Sequence, residues 1–187
     1  FHKDYGWDRK PLSSGIEYSN KISKFKISKD GYRGNLKLQK NSISVFGDSF
    51  AFCRYVDDHM TWEHILEKNI SRPVLNYGVG NFGLDQSFLK YKKLKNNITS
   101  KIIIFNFVPE TIARINSYWK HYREFGNIHG FKPLLEIKNN KLKILKSLIK
   151  KDFSESQIYN KLGEIKKKDI FFHLKFNKLS FKYPYTF

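Results

Sequence analysis

The chain has 187 residues, 40% hydrophobic and 17% aromatic, enough for one ordinary domain with a sizeable core. Its formal net charge of +18 would suit a nucleic-acid or anionic-membrane partner, but only six of the 35 basic residues are arginine and the excess sits on the flanks. Solvated basic faces are therefore preferred and nucleic acid is not favoured, while no run approaches the ~20 apolar residues of a membrane span and the lone Cys53 excludes an intrachain disulfide.

Residues 1–40 are punctuated by Gly6, Pro11, Ser13-Ser14-Gly15, Asp30-Gly31 and Gly34, and Ile22–Ile27 alternates with period two. They read as an irregular β-rich lead-in packed on a domain spanning 41–187. Residues 42–47 (SISVFG) make a first, buried parallel strand. Thr61 is expected to cap a helix in which Trp62, Ile65, Leu66 and Ile70 recur at helical spacing, and Pro73 stops it. Val74–Val79 gives a second strand, Gly78, Gly80 and Gly83 a loop, and Asp85 the cap of a helix reaching Lys95. Lys101–Phe107 is a third strand, after which Pro109 opens a helix whose stripe continues through Ile112, Ile115 and Trp119. Strands alternating with helices over 42–122 predict a parallel sheet with helices on its faces.

Further on, Asn139-Asn140 sits at the tip of a predicted hairpin, and residues 143–168 read as an amphipathic helix pair broken near Asp152. The start at Phe1 and the end on Pro184-Tyr185-Thr186-Phe187 read as a fragment cut at both ends, with the second domain incomplete at its C-terminus. Nothing in the sequence assigns a compartment or an oligomeric state.

In open parallel sheets, ligands bind beyond the carboxyl ends of the strands. Three loops are predicted to meet there: Gly47-Asp48-Ser49-Phe50, Gly78–Gly83 and Phe107–Thr111. A serine between a strand and a helix can expose its hydroxyl beside backbone N–H groups able to hold an oxyanion. The plainer readings are a turn serine at Ser49, a helix cap at Asp48, surface imidazoles at His59 and His64, and a packed thiol at Cys53. The stretch Tyr118–Arg123 reads either as a platform for sugar faces or as core. No cluster has metal-ligand spacing, so neither a metal nor a cofactor is expected.

The blocks "VFGDSFAF", "TWEHILE" and "VLNYGVGNFGLDQSFLKY", with the lead-in "YGWDRKP" and "ISKDGYRG", resemble the SGNH/GDSL hydrolase family over roughly residues 1–137. The resemblance implies a three-layer α/β/α sandwich with a parallel, flavodoxin-like sheet. It also implies metal-free serine ester chemistry, with the lead-in similar to members associated with carbohydrate O-acyl groups. Ser49 carries over as nucleophile and first oxyanion donor, and Asp48 as the supporting acid of the first block. The second-block oxyanion donor falls on Asn81, with Gly80 just before it. The third-block asparagine falls on Glu110, which cannot donate while ionised and is expected to bind a substrate hydroxyl or pair with Arg114. Asn106 is near but four residues early, inside the predicted strand.

A serine nucleophile needs a histidine base oriented by an acid. The family's Asp-x-x-His is missing; Asp169-Ile-Phe-Phe-His173 has one residue too many. Three explanations stand: a true histidine beyond Phe187, His173 as a variant base, or lost catalysis. The expected function is a serine esterase acting on a small-molecule or carbohydrate ester through an acyl-enzyme on Ser49. The alternatives are an O-acyltransferase and a catalytically impaired glycan-binding module.

Overall fold

The structure, a computed structural model, describes residues 1–34, 41–145, 147–150 and 152–176. The protein is mixed α/β, organised around a small parallel sheet of three strands: β3 (Ile43–Phe46) lies between β4 (Val74–Asn76) and β5 (Ile102–Phe105). β1 (Ser13–Tyr18) and β2 (Ile22–Ile27) form an antiparallel hairpin ahead of it. Alternation puts Ser23, Phe25 and Ile27 inside and their neighbours outside, as the period-two pattern predicts.

The central position of β3 fixes where the helices go. From it, one connection runs outward to β4 and the next crosses back to β5. Right-handed crossovers in opposite directions require opposite faces. α2 (Trp62–Ile70) brings Trp62 and Leu66 against Ile43, Val45, Val74 and Ile104. On the other face α3 (Leu84–Leu94) brings Tyr91 and Leu94 against Phe46, Leu75, Ile103 and Phe105. Thr61 caps α2 by accepting the His64 N–H at 3.3 Å. Ile65 and Ile70, expected on its apolar stripe, are exposed because the sheet meets only a narrow face of the helix. Ile102 is exposed too, since β5 is an edge strand.

Two sequence expectations are corrected. The cap of α3 is Gly83, whose N–H is taken by the Gln86 side chain at 3.2 Å. Asp85 instead forms a buried ion pair with Lys132. The helix after Pro109, α4 (Thr111–Asn116), ends before Trp119 and leaves Ile112 exposed. The chain turns there into extended backbone, where Trp119 pairs with Phe131.

The hairpin of β6 (Leu134–Lys138) and β7 (Lys141–Leu145) forms as predicted. Asn139 and Asn140 both have positive φ, 53° and 57°, which asparagine tolerates and which this two-residue turn requires. Residues 143–145 therefore belong to a strand. The helices α5 (Glu155–Asn160) and α6 (Leu162–Lys168) follow, separated at Lys161 and not near Asp152, and then α7 (Ile170–Phe176). Ile158 and Ile165 are wholly buried against Tyr118, Trp119 and Phe131. Trp119 and Phe131 stack with centroids 5.2 Å apart. The aromatic stretch is thus core at Tyr118 and Trp119, not a sugar platform.

One buried acid predicts an unusual pH response. Glu63, in the first turn of α2, is 1% exposed; its Oε2 accepts the Cys53 thiol at 3.2 Å, and its Oε1 has no hydrogen-bond partner among the described residues. Burial pushes its carboxyl up to about 7 and, with Glu63 beside it, the Cys53 thiol up to about 12. A carboxyl raised in the fold favours folding while protonated and opposes it once ionised. Relative to Glu63→Gln, the protein should lose about 3 kcal/mol of stability as pH rises from about 4.5 past 7. Urea unfolding of both proteins at pH 5 and pH 8 measures this, and an unchanged difference between them refutes it.

Candidate active site

The loops at the carboxyl ends of β3, β4 and β5 are drawn together by short contacts. After β3 the chain passes Gly47 and Asp48 into the single-turn helix α1 (Ser49–Phe52). Asp48 caps it, accepting the Phe50 N–H at 2.9 Å. A Cβ at Gly47 would lie 2.7 Å from both Ala51 Cβ and Asn106 O, and one at Gly78 would strike the Phe52 nitrogen. Only glycine permits this approach of the first two loops. Val79 donates its N–H to Gly47 O at 3.0 Å. The buried Asn76 amide closes the seam, donating to Ala51 O at 2.6 Å and accepting from the Gly78 N–H at 2.9 Å.

Ser49 is part-exposed, and its hydroxyl makes no hydrogen bond among the described residues. The N–H groups of Ser49, Gly80 and Asn81 also have no acceptor among them. A Cβ at Gly80 would meet open space. Trp7 of the lead-in donates its indole N–H to Gly80 O at 3.0 Å. Across that trans peptide, the Asn81 N–H points the opposite way, away from Trp7. Asn81 has φ 63° and is anchored by its side chain, which donates to Glu124 at 3.0 Å.

Arg114 locks this arrangement from beneath. Its Nη1 donates to Asp48 Oδ2 at 2.6 Å and to Phe82 O at 3.1 Å, so one buried guanidinium from α4 holds both the serine loop and the glycine loop. Thr111, also on α4, accepts the Leu84 N–H at 2.7 Å. The expected Glu110–Arg114 pair does not form. Glu110 sits at the N-terminal cap position of α4, exposed and without a capping bond, while Arg114 turns inward to Asp48.

His173 is on the exposed side of α7, against the edge of Phe172 at 5.8 Å. Its presumed partner in the sequence has another task. Asp169 is wholly buried and accepts three backbone N–H groups, from Tyr118 and Trp119 at 2.8 and 2.9 Å on Oδ2 and from Phe172 at 2.8 Å on Oδ1. Asp169 is therefore the cap of α7 and the tie that holds α7 to the Tyr118–Trp119 segment.

Sequence reasoning missed Arg114, Asn76 and Trp7 as site-building residues, because their partners are far away in sequence. Asn106 was set aside as a strand residue. It lies just past β5, against Gly47, and its Oδ1 is buried with no hydrogen-bond partner. Among the described residues no group of three or more His, Cys, Asp or Glu side chains could hold a metal, and no helix is long and apolar enough to cross a membrane. In comparisons with protein-family models and with curated proteins, the chain matches none.

Proposed function

We propose that the protein is a serine esterase or acyl hydrolase of SGNH/GDSL type, with a three-layer α/β/α sandwich, that forms an acyl-enzyme on Ser49. The observation that carries this reading is the Ser49 hydroxyl at the switch point of the parallel sheet, with the N–H groups of Ser49, Gly80 and Asn81 on the two loops that meet there, all without a hydrogen-bond partner among the described residues. In this reading Ser49 Oγ attacks the acyl carbon of an ester, a carbohydrate O-acyl group being the favoured class. A base accepts the hydroxyl proton, and the backbone N–H groups hold the oxygen that becomes negative. Collapse of the tetrahedral intermediate expels the alcohol, which takes up the proton. Water completes hydrolysis; a second alcohol in its place gives acyl transfer.

Asp48 supports the reaction by holding the loop. Its carboxylate is committed to the Phe50 N–H and to Arg114 and is not assigned proton transfer. Glu110, exposed at the rim, is assigned contact with substrate hydroxyls. His173 is the candidate base within these residues, and the Asp169 carboxylate is committed to backbone N–H groups.

A fluorophosphonate probe tests the proposal, because it phosphonylates serines activated by a neighbouring base. The expected result is one adduct, mapped to Ser49 and lost in Ser49→Ala. Loss of the adduct in His173→Gln would assign the base. Absence of labelling in the wild-type chain and in a chain extended beyond Phe187 would overturn the esterase reading and favour a glycan-binding module.

A further inference from the structure

Among the described residues, several charged side chains behind the candidate site are paired. Arg114 is bonded to Asp48, Lys132 to Asp85, and Lys120 to Glu124 at 3.3 Å. Arg123 lies in electrostatic reach of Glu124, Arg114, Asp169 and Asp85, yet among the described residues its buried Nε has no hydrogen-bond partner. Each of the three acids around it has another partner: Lys132 on Asp85 Oδ2, whose Oδ1 has none among the described residues, three backbone N–H groups on Asp169, and Asn81 and Lys120 on Glu124. Its Nε is closed off from solvent with no acceptor, while the residue as a whole is part-exposed. Burial works most strongly against its positive charge, Glu124 works for it, Arg114 works against it, and Asp169 and Asp85 favour it.

A desolvated charge with an unmet donor is costly, and a guanidinium offers five donors in a fork that matches two oxygens of one anion. Arg123 also directly precedes Glu124, whose carboxylate accepts from the Asn81 side chain of the glycine loop at 3.0 Å. We propose that Arg123 is an anion-recognition residue of the Ser49 site. The substrate then carries, besides its ester, an oxyanion: a sugar carboxylate or a phosphate. This substrate class rests on the esterase reading, whereas anion binding at Arg123 does not.

The test is direct titration of the wild-type protein, Arg123→Lys and Arg123→Gln with inorganic phosphate and with glucuronate at low ionic strength, followed calorimetrically. Wild type should bind at least one of the two, with affinity at least tenfold weaker in Arg123→Gln and partly kept in Arg123→Lys. Lys138→Gln, on the exposed hairpin, should bind as wild type does. Removing a charge that burial disfavours should leave the melting temperature of Arg123→Gln unchanged or raised, so loss of binding is not loss of fold. Binding of phosphate alone assigns a phosphorylated substrate, and binding of glucuronate alone a sugar acid. Wild type binding neither, or Arg123→Gln binding both as well as wild type, overturns the proposal. Arg123-dependent binding in a protein whose Ser49 never labels would keep the anion site and remove the esterase reading.

Discussion

Replacing Arg114 by methionine should lower stability by about 3–5 kcal/mol, because it leaves the Asp48 carboxylate buried without its countercharge. Both side chains are almost fully covered, 8% and 3% exposed, and the bond between them is 2.6 Å. The penalty is mainly the stranded charge and not the loss of a contact. The companion variant distinguishes the two. Asp48→Asn removes the charge but keeps an oxygen for the Phe50 N–H, so Asp48→Asn with Arg114→Met should be less destabilised than the two single changes summed. For a domain of this size the single Arg114 variant should melt on the order of 10 °C lower. Urea unfolding of the four proteins gives the coupling energy, and strict additivity would show that the pair is not the linchpin argued here. The Arg114 variant should also lose amide protection at Phe52 and Phe82, the hydrogen-bonded positions on the two loops it joins.

Asp169→Ala should be comparably severe, at about 3–5 kcal/mol. The change strands the N–H groups of Tyr118, Trp119 and Phe172 together, in a region where water cannot replace the lost acceptor. It also removes the cap of α7. Burial raises the Asp169 carboxyl, and its backbone donors and Lys132 act in the opposite direction. Asp169→Asn keeps one acceptor oxygen and should recover part of the loss. Chemical denaturation and amide exchange at Tyr118 and Trp119 read this out. If Asp169→Ala unfolds at the wild-type urea concentration, Asp169 is not the tie between α7 and the core, and its assignment as an orienting acid for His173 regains ground.

Asp169 shows why the site was only partly legible beforehand. In sequence, an aspartate four residues ahead of a histidine resembles a displaced catalytic pair. In space it serves three amides, two of them about fifty residues away. Asp85 and Glu110 follow the same pattern. Each has a reasonable local role, as helix cap or as partner one turn on, and each is overruled by a distant charge: Lys132 takes Asp85, and Asp48 takes Arg114 away from Glu110. Local spacing cannot rank these options, because a buried charge selects its partner by depth and direction.

The order of strands and helices over 42–122, the Ile22–Ile27 alternation, the Thr61 cap and the Asn139-Asn140 turn are legible in the linear chain. Those features depend on side-chain period and on the backbone preferences of neighbouring residues, which a linear reading contains. Only the tertiary structure decided that β3 lies centrally, that Gly47 and Gly78 let α1 close on the second loop, and that Arg114 binds the two loops together. It alone left the Arg123 Nε buried without an acceptor among the described residues. These outcomes depend on which distant groups are desolvated together, and that is settled only when the chain is packed.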